Sequence, residues 1–221
     1  MSTAVTSAPS AAVPQPEVTR LTAARGPEGV PAVVLVGASA GGLTVLRGLL
    51  AGLPSDLQAA VVAVVHQPSR PQQALAALLA PVCPLPVREA GPVERLVAGQ
   101  VLLAPPDHHL EVVDGELRRS DGPRCNGVRP SVDVLFASAA AVFRRRVVAV
   151  VLSGAMRDGA HGAAVVERAG GQVLVQDPDD ACVSGMPRSA LAATTHHEVA
   201  PAARLPDVLA RLVAHVVRQD A

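Results

Sequence analysis

Short valine-rich runs recur along the chain, each followed by a stretch whose apolar residues return at helical spacing, and this alternation is the sequence sign of βαβ units. The runs are Val33–Val36, Ala60–Val65, Val101–Ala104, Val147–Leu152 and Val173–Gln176. The intervening segments predict helices over Gly42–Leu50, Pro71–Leu79, Val132–Phe143, Ala160–Arg168 and Pro206–Arg218. Several runs are apolar on consecutive residues, which is expected of strands covered on both faces. The predicted architecture is therefore α/β: a doubly wound, mostly parallel sheet with helices on both faces. One departure is predicted, a β-hairpin addition in which His109–Val113 and Leu117–Arg119 flank the turn dipeptide Asp114-Gly115. Ser120–Pro130 reads as a long loop, the kind of segment that often carries function.

Residues 1–30 are an Ala/Pro-rich stretch without sustained periodicity and read as a disordered tail, leaving one domain over 31–221. The chain start has neither a basic region nor a continuous apolar stretch of signal-peptide type, and no apolar run approaches the length of a membrane span, so a cytoplasmic protein without membrane insertion is expected. The formal net charge is zero. No global field then draws the chain to nucleic acid or to an anionic membrane. All 19 basic side chains are Arg, and Lys, Tyr and Trp are absent. That excludes Schiff-base chemistry, a P-loop lysine and a phenolic acid or base. With only two Phe, a base-stacking nucleic-acid platform is excluded as well. Cys83, Cys125 and Cys182 are odd in number and widely spaced, and read as free thiols. No His-x-x-x-His spacing suggests a metal, and no cofactor is expected.

In open α/β sheets ligands bind beyond the carboxyl ends of the strands. The polar residues expected there are Ser39 after the first strand, His66-Gln67 after the second, and Ser153 through Gly159 after the Val147 run. Ser39 stands in Gly37-x-Ser39-x-Gly41, a sharp strand-to-helix turn, and three roles fit it. It is a nucleophile whose oxyanion would be held by the following N–H groups, a helix-capping serine, or part of a phosphate cradle. A dinucleotide site is a minor alternative, because Ser39 occupies the middle glycine position of G-x-G-x-x-G and no acidic residue ends the second strand. His66 suits a general base or a packed strand-end histidine. Asp158 suits an orienting carboxylate or the N-cap of its own helix. Asp107, His108, His109, Asp177, Asp179 and Asp180 are rival acids and bases by position. Ser153 also follows a strand but lacks an upstream glycine, and Arg144-Arg145-Arg146 reads as a solvated run compensating a helix dipole.

Taken in order, the motifs over Val33–Val217 resemble the catalytic domain of chemotaxis protein-glutamate methylesterases, the CheB family. Val36-Gly37-Ala38-Ser39-Ala40-Gly41-Gly42 is similar to V-G-A-S-T-G-G, and Val65-His66-Gln67-Pro68 to Q-H-M-P. Ala104 through Val112 resembles A-P-x-x-x-H-L-x-V, and Asn126 through Phe136 resembles N-x-x-R-P-S-V-D-x-L-F. Ser153 through Gly159 stands for T-G-M-G-x-D-G, and Gly185-Met186-Pro187 for the G-M-P turn.

The resemblance implies a Ser-His-Asp triad of Ser39, His66 and Asp158; with Lys and Tyr absent, backbone N–H groups near Ala40 and Ala155 are the natural candidates for oxyanion donors. It implies hydrolysis of glutamate methyl esters on a methylated receptor or receptor-like protein, and glutamine deamidation in addition. The alternative is a catalytically silent module of the same fold that binds signalling proteins. Family members usually carry an N-terminal receiver domain, for which the first 30 residues are too few, so control of activity is expected to lie elsewhere. Ala40 and Gln67 replace Thr and Met beside the proposed catalytic residues, and Ala155-Met156 replaces Met-Gly.

Overall fold

The structure, a computed structural model, describes residues 29–67 and 74–220. Nearly all of the expected tail, and residues 71–73 of the expected Pro71–Leu79 helix, lie outside the described residues. In chain order the elements are β1 (Ala32–Ala38), α1 (Gly42–Ala51), β2 (Ala59–Val65), α2 (Leu75–Leu79), β3 (Val87–Glu89), β4 (Val93–Arg95), β5 (Gln100–Leu103), β6 (His109–Val113) and β7 (Glu116–Ser120). Then follow α3 (Val132–Phe143), β8 (Val147–Val151), α4 (Ala160–Arg168), β9 (Gln172–Gln176), α5 (Gly185–Ala193), β10 (Glu198–Ala200) and α6 (Leu205–Asp220).

Seven strands form one parallel sheet in the order β10-β9-β8-β1-β2-β5-β3. Side chains alternate across a strand, and β1 shows how each face is buried. Val34 and Val36 join Leu46, Leu49 and Leu50 of α1 and Leu209, Leu212 and Val216 of α6 in one core. Val33 and Leu35 join Leu135, Phe136 and Phe143 of α3 in the other. This is the doubly wound arrangement that consecutive apolar residues require. The hairpin of β6 and β7 forms as expected, with Asp114 at φ 53° and Gly115 at φ 83°, the paired left-handed residues of a tight hairpin turn. It extends with β4 into a three-stranded antiparallel sheet whose Leu110, Val112 and Leu117 pack in the same core as α3.

β3, β4 and β10, three residues each, are too short to show a periodicity and were not expected. Nor was α5, which begins at Gly185-Met186-Pro187, residues that read as a turn; Pro is tolerated in a first helical turn, where its missing N–H costs nothing. The Arg144–Arg146 run is not uniformly solvated, as expected, but a 3-10 turn in which Arg146 is buried. Its Nη1 donates to Val30 O at 2.9 Å, and its guanidinium lies 5.4 Å from the centre of the Phe143 ring.

The chain turns from β1 to β2 on one side, while β8 pairs with β1 on the other. That reversal is a topological switch point at the carboxyl ends of β1 and β8, where sheets of this kind bind ligands. The amino end of α3 presses directly on this edge, since a Cβ on Gly37 would lie 2.9 Å from Val132 Cγ2. Gly48, on the exposed side of α1, has nothing near such a Cβ. Gly37→Ala is therefore expected to lower the unfolding free energy by about 1–3 kcal/mol through overpacking. Gly48→Ala is expected to raise it by roughly 0.5–1 kcal/mol through helix propensity. Urea titration of the two variants measures both.

Candidate active site

Ser39 follows β1, His66 follows β2, and the parallel register pairs Ala38 with Val65, so the two residues leave adjacent strands side by side. His66 N–H donates to Ala38 O at 3.0 Å, which extends the ladder by one bond and ties the imidazole's own main chain to the Ser39 turn. From the other side, Ser39 N–H donates to Ser153 O at 3.0 Å. A Cβ on Gly154 would lie 2.8 Å from Ser39 Cβ, so the β8 end can approach the serine this closely only with a bare backbone. Ser153 is wholly buried and fastens this junction: its Oγ donates to Ala40 O at 2.8 Å and accepts from Val183 N–H at 3.0 Å. That occupies the second strand-end serine structurally.

His66 Nε2 lies 2.9 Å from Asp158 Oδ2, with the carboxylate almost fully buried. Asp158 does not cap its own helix. Its carboxylate instead lies at the amino end of α3, where Oδ2 accepts the Val132 N–H at 2.7 Å and Oδ1 accepts the Asp133 N–H at 3.2 Å and the Ser131 Oγ hydroxyl at 2.7 Å. The helix dipole adds positive potential there. α4, which Asp158 precedes, is served by Asp133 of α3, whose Oδ1 accepts from Gly159 N–H at 2.9 Å and Gly162 N–H at 2.7 Å. Each helix thus offers its carboxylate to the other. Asn126 bridges the two, donating through Nδ2 to Asp133 at 2.8 Å and Asp158 at 3.3 Å.

The two carboxyls part in opposite directions. Burial acts to raise Asp158, but the bonds from His66, Ser131 and the main-chain N–H groups of Val132 and Asp133 outweigh it and hold the carboxyl below its usual range. Burial, with the charge of Asp158 added, pushes Asp133 up. An ionised Asp158 only accepts, so His66 Nε2 carries the proton and Nδ1, the ring nitrogen nearer the main chain, is left basic.

A second histidine supports Asp158 from behind. His109 is 1% exposed, and its Nδ1 accepts the N–H of Ser131 at 3.1 Å, which makes Nε2 the protonated nitrogen, donating to Pro123 O at 3.1 Å. The other rivals have separate partners. Asp107 is ion-paired with Arg124 and Arg129, and the Arg129 bond first of all lowers its carboxyl. His108 bonds Pro106 O; Asp177 closes a turn on Asp179 N–H; Asp179 pairs with Arg188; and Asp180 accepts from Gln176 and Ala202. Ser131, Asn126 and Asp133 had no assigned role in the sequence, where the signals were Ser131 placed immediately before a predicted helix and the three residues' places as the fixed Asn, Ser and Asp of the N-x-x-R-P-S-V-D-x-L-F resemblance.

Ser39 Oγ has no hydrogen-bond partner among the described residues, His66 included. The N–H groups of Ala40 and Ala155 likewise have no acceptor among the described residues, and both residues are exposed. The three cysteines are unpaired, and no described helix is long and apolar enough to cross a membrane.

Residues 34–209 match the family model described as CheB methylesterase. The chain belongs to the CheB methylesterase family. Its fold is similar to the crystal structure of the Thermotoga maritima CheB methylesterase catalytic domain, with a TM-score of 0.78 and 33% identity, covering 82% of this chain and 98% of that one. Among curated relatives, a protein-glutamate methylesterase/protein-glutamine glutaminase of Symbiobacterium thermophilum is 38% identical over 182 residues, 82% of this chain and 50% of the relative. A protein of the same description from Anaeromyxobacter dehalogenans is 42% identical over 180 residues, 81% of this chain and 53% of the relative. The chain spans about half the length of these two relatives. A protein of Leptospira interrogans, 35% identical over 180 residues, is matched over 93% of its length.

Two tests follow from the support of Asp158. In His109→Asn the amide oxygen takes the place of Nδ1 and keeps the acceptor for Ser131, whereas His109→Gln keeps only the donor to Pro123. Nuclear magnetic resonance of the His66 Nε2 proton is expected to show the shifted, Asp158-bonded signal retained in the Asn variant and lost or moved in the Gln variant. For stability, a depressed carboxyl contributes above its unfolded-state pKa, and that contribution is lost as pH falls through the folded-state value. The unfolding free energy of the wild type should therefore exceed that of Asp158→Asn by about 1–3 kcal/mol at neutral pH. The gap should narrow as pH drops below the ordinary carboxylate range, measured by urea unfolding at stepped pH.

Proposed function

We propose that this chain is a serine hydrolase that removes methyl esters from glutamate side chains of a receptor-like protein in chemotaxis-type signalling, in the cytoplasm, and that it also deamidates glutamine side chains. Residues 31–221 form its catalytic domain in this reading. The observation that carries it is the His66–Asp158 bond of 2.9 Å, with Asp158 held ionised, at the end of the strand next to Ser39, whose hydroxyl has no partner among the described residues. The names borne by the relatives support the substrate class.

Ser39 Oγ attacks the ester carbonyl while His66 Nδ1 takes its proton, and Asp158 stabilises the imidazolium through Nε2–H. The tetrahedral oxyanion is held by the N–H groups of Ala40 and Ala155, which have no acceptor among the described residues and flank the Ser39 junction from the β1 and β8 ends. The proton passes from His66 to the departing methoxide, releasing methanol and leaving an acyl-Ser39. Water, deprotonated by His66, then attacks the acyl group; Ser39 leaves with the proton, and a free glutamate carboxylate results. With glutamine the leaving group is ammonia.

A second reading is favoured by one observation: Ser39 Oγ makes no hydrogen bond to His66. On that basis the domain is a silent binding module. Catalytic hydrogen bonds are commonly loose without substrate, so the geometry is compatible with turnover. Fluorophosphonate labelling and methanol release from a methyl-esterified receptor fragment separate the two. The hydrolase reading expects labelling that disappears in Ser39→Ala, and methanol release reduced roughly 10⁴-fold in Asp158→Asn. Labelling equal in wild type and Ser39→Ala would leave the binding module standing.

A further inference from the structure

Met156 has the highest exposure of the large apolar side chains among the described residues, 74%, and its backbone lies at φ 64°. That left-handed conformation disfavours any residue with a Cβ and is free to glycine. An exposed thioether contributes little burial, so two penalties fall on one residue without a return to the fold. Nor does the turn require a methionine. Gly154 N–H donates to Val183 O at 2.9 Å and Gly154 O accepts from Met186 N–H at 2.8 Å, which fixes the turn before Met156. Arg157 O accepts from Ala160 N–H at 3.1 Å, which fixes it after. Met156 O accepts the Ser189 hydroxyl at 3.3 Å, and a Cβ on Gly185 would lie 2.9 Å from Met156 N, so α5 holds the turn from below. The surroundings impose the backbone, and a glycine would occupy it at lower cost.

The place of this turn gives the side chain a use. Gly154, two residues back, abuts Ser39 Cβ. With consecutive Cα atoms 3.80 Å apart, the Met156 Cα lies within roughly 12 Å of the Ser39 side chain. Strained, non-glycine positions cluster at functional sites because function there outweighs the local cost. We propose that Met156 is a specificity-determining residue, its thioether making an apolar contact with the substrate segment that carries the scissile ester. The motif that this stretch resembles has glycine here, so the contact belongs to this chain. A methionine suits the task, being unbranched, polarizable and able to follow an irregular apolar surface. The inference rests on the hydrolase reading above.

The test uses two synthetic helical peptides, each with one glutamate γ-methyl ester, flanked in one by leucines and in the other by serines. Wild type, Met156→Gly and Met156→Leu are compared by methanol release. Wild type is expected to prefer the leucine-flanked peptide. In Met156→Gly that preference is expected to fall about tenfold, through KM more than kcat, the size of a lost apolar contact. Met156→Leu is expected to restore it. Thermal unfolding supplies the structural control: removal of the left-handed strain is expected to raise the Tm of Met156→Gly by about 2–4 °C. A loss of selectivity in a more stable variant cannot come from misfolding. An unchanged preference in Met156→Gly, or equal losses on both peptides, overturns the inference while leaving the hydrolase reading intact. If the wild type releases methanol from neither peptide nor from the receptor fragment, the hydrolase reading falls and takes the inference with it.

Discussion

The arrangement at the sheet edge depends on an exchange of carboxylates between two helices. The first N–H groups of a helix have no partner within it. Here α3 and α4 each lack a capping side chain at the flanking residue, and each receives a carboxylate from the other: Asp158 serves α3, and Asp133 serves α4. Two buried like charges would repel one another in most settings. Asn126, with two amide hydrogens to share, and the convergent main-chain donors make the pair tolerable, and the asymmetry of donors holds Asp158 below the usual carboxylate range while burial pushes Asp133 above it. The negative end that faces His66 is the one with the surplus of hydrogen bonds.

This arrangement links stability and chemistry through the same atoms. Oδ2 of Asp158 accepts both from the α3 backbone and from His66, so the orientation of the imidazole is referenced to a helix axis and not to a mobile side chain. Behind it, Ser131 donates its hydroxyl to Asp158 Oδ1 and its main-chain N–H to His109 Nδ1, so the polarity of the support is fixed. Ser153 plays the corresponding part on the other side of Ser39, locking its turn against the end of β8. Around Ser39 nearly every polar group is committed. The Ser39 hydroxyl and the Ala40 and Ala155 N–H groups stand apart from that pattern, with no hydrogen-bond partner among the described residues.

Much of the fold was legible because burial on both faces writes itself into consecutive residues: β1, β2, β5, β8 and β9 all lie where Val-rich runs stand, and Asp114-Gly115 marked its hairpin. The three-residue strands were not, since so few residues carry no period and are held by neighbours in space. Arg146 was misjudged for a related reason. In sequence it is one of three arginines, and only the approach of Val30 and Phe143 separates it from the other two. Asp158 stands just before α4, where an N-cap role was one reading, but the helix its carboxylate serves is α3.

Local chemistry in the sequence was enough to determine the alternation of strands and helices, the glycine-lined turn at Ser39, and the exclusion of Lys- and Tyr-based mechanisms. Those depend on residue type and short-range spacing alone. Tertiary structure decided which of several histidines and aspartates meet. Register set His66 beside Ser39, and the packing of α3 against α4 placed Asp158 against the imidazole and gave His109, Ser131 and Asn126 their work. Such partnerships join residues dozens of positions apart, 92 in the case of His66 and Asp158. Hydrogen bonds act over about 3 Å of space, and no periodicity along a chain encodes a distance of that kind.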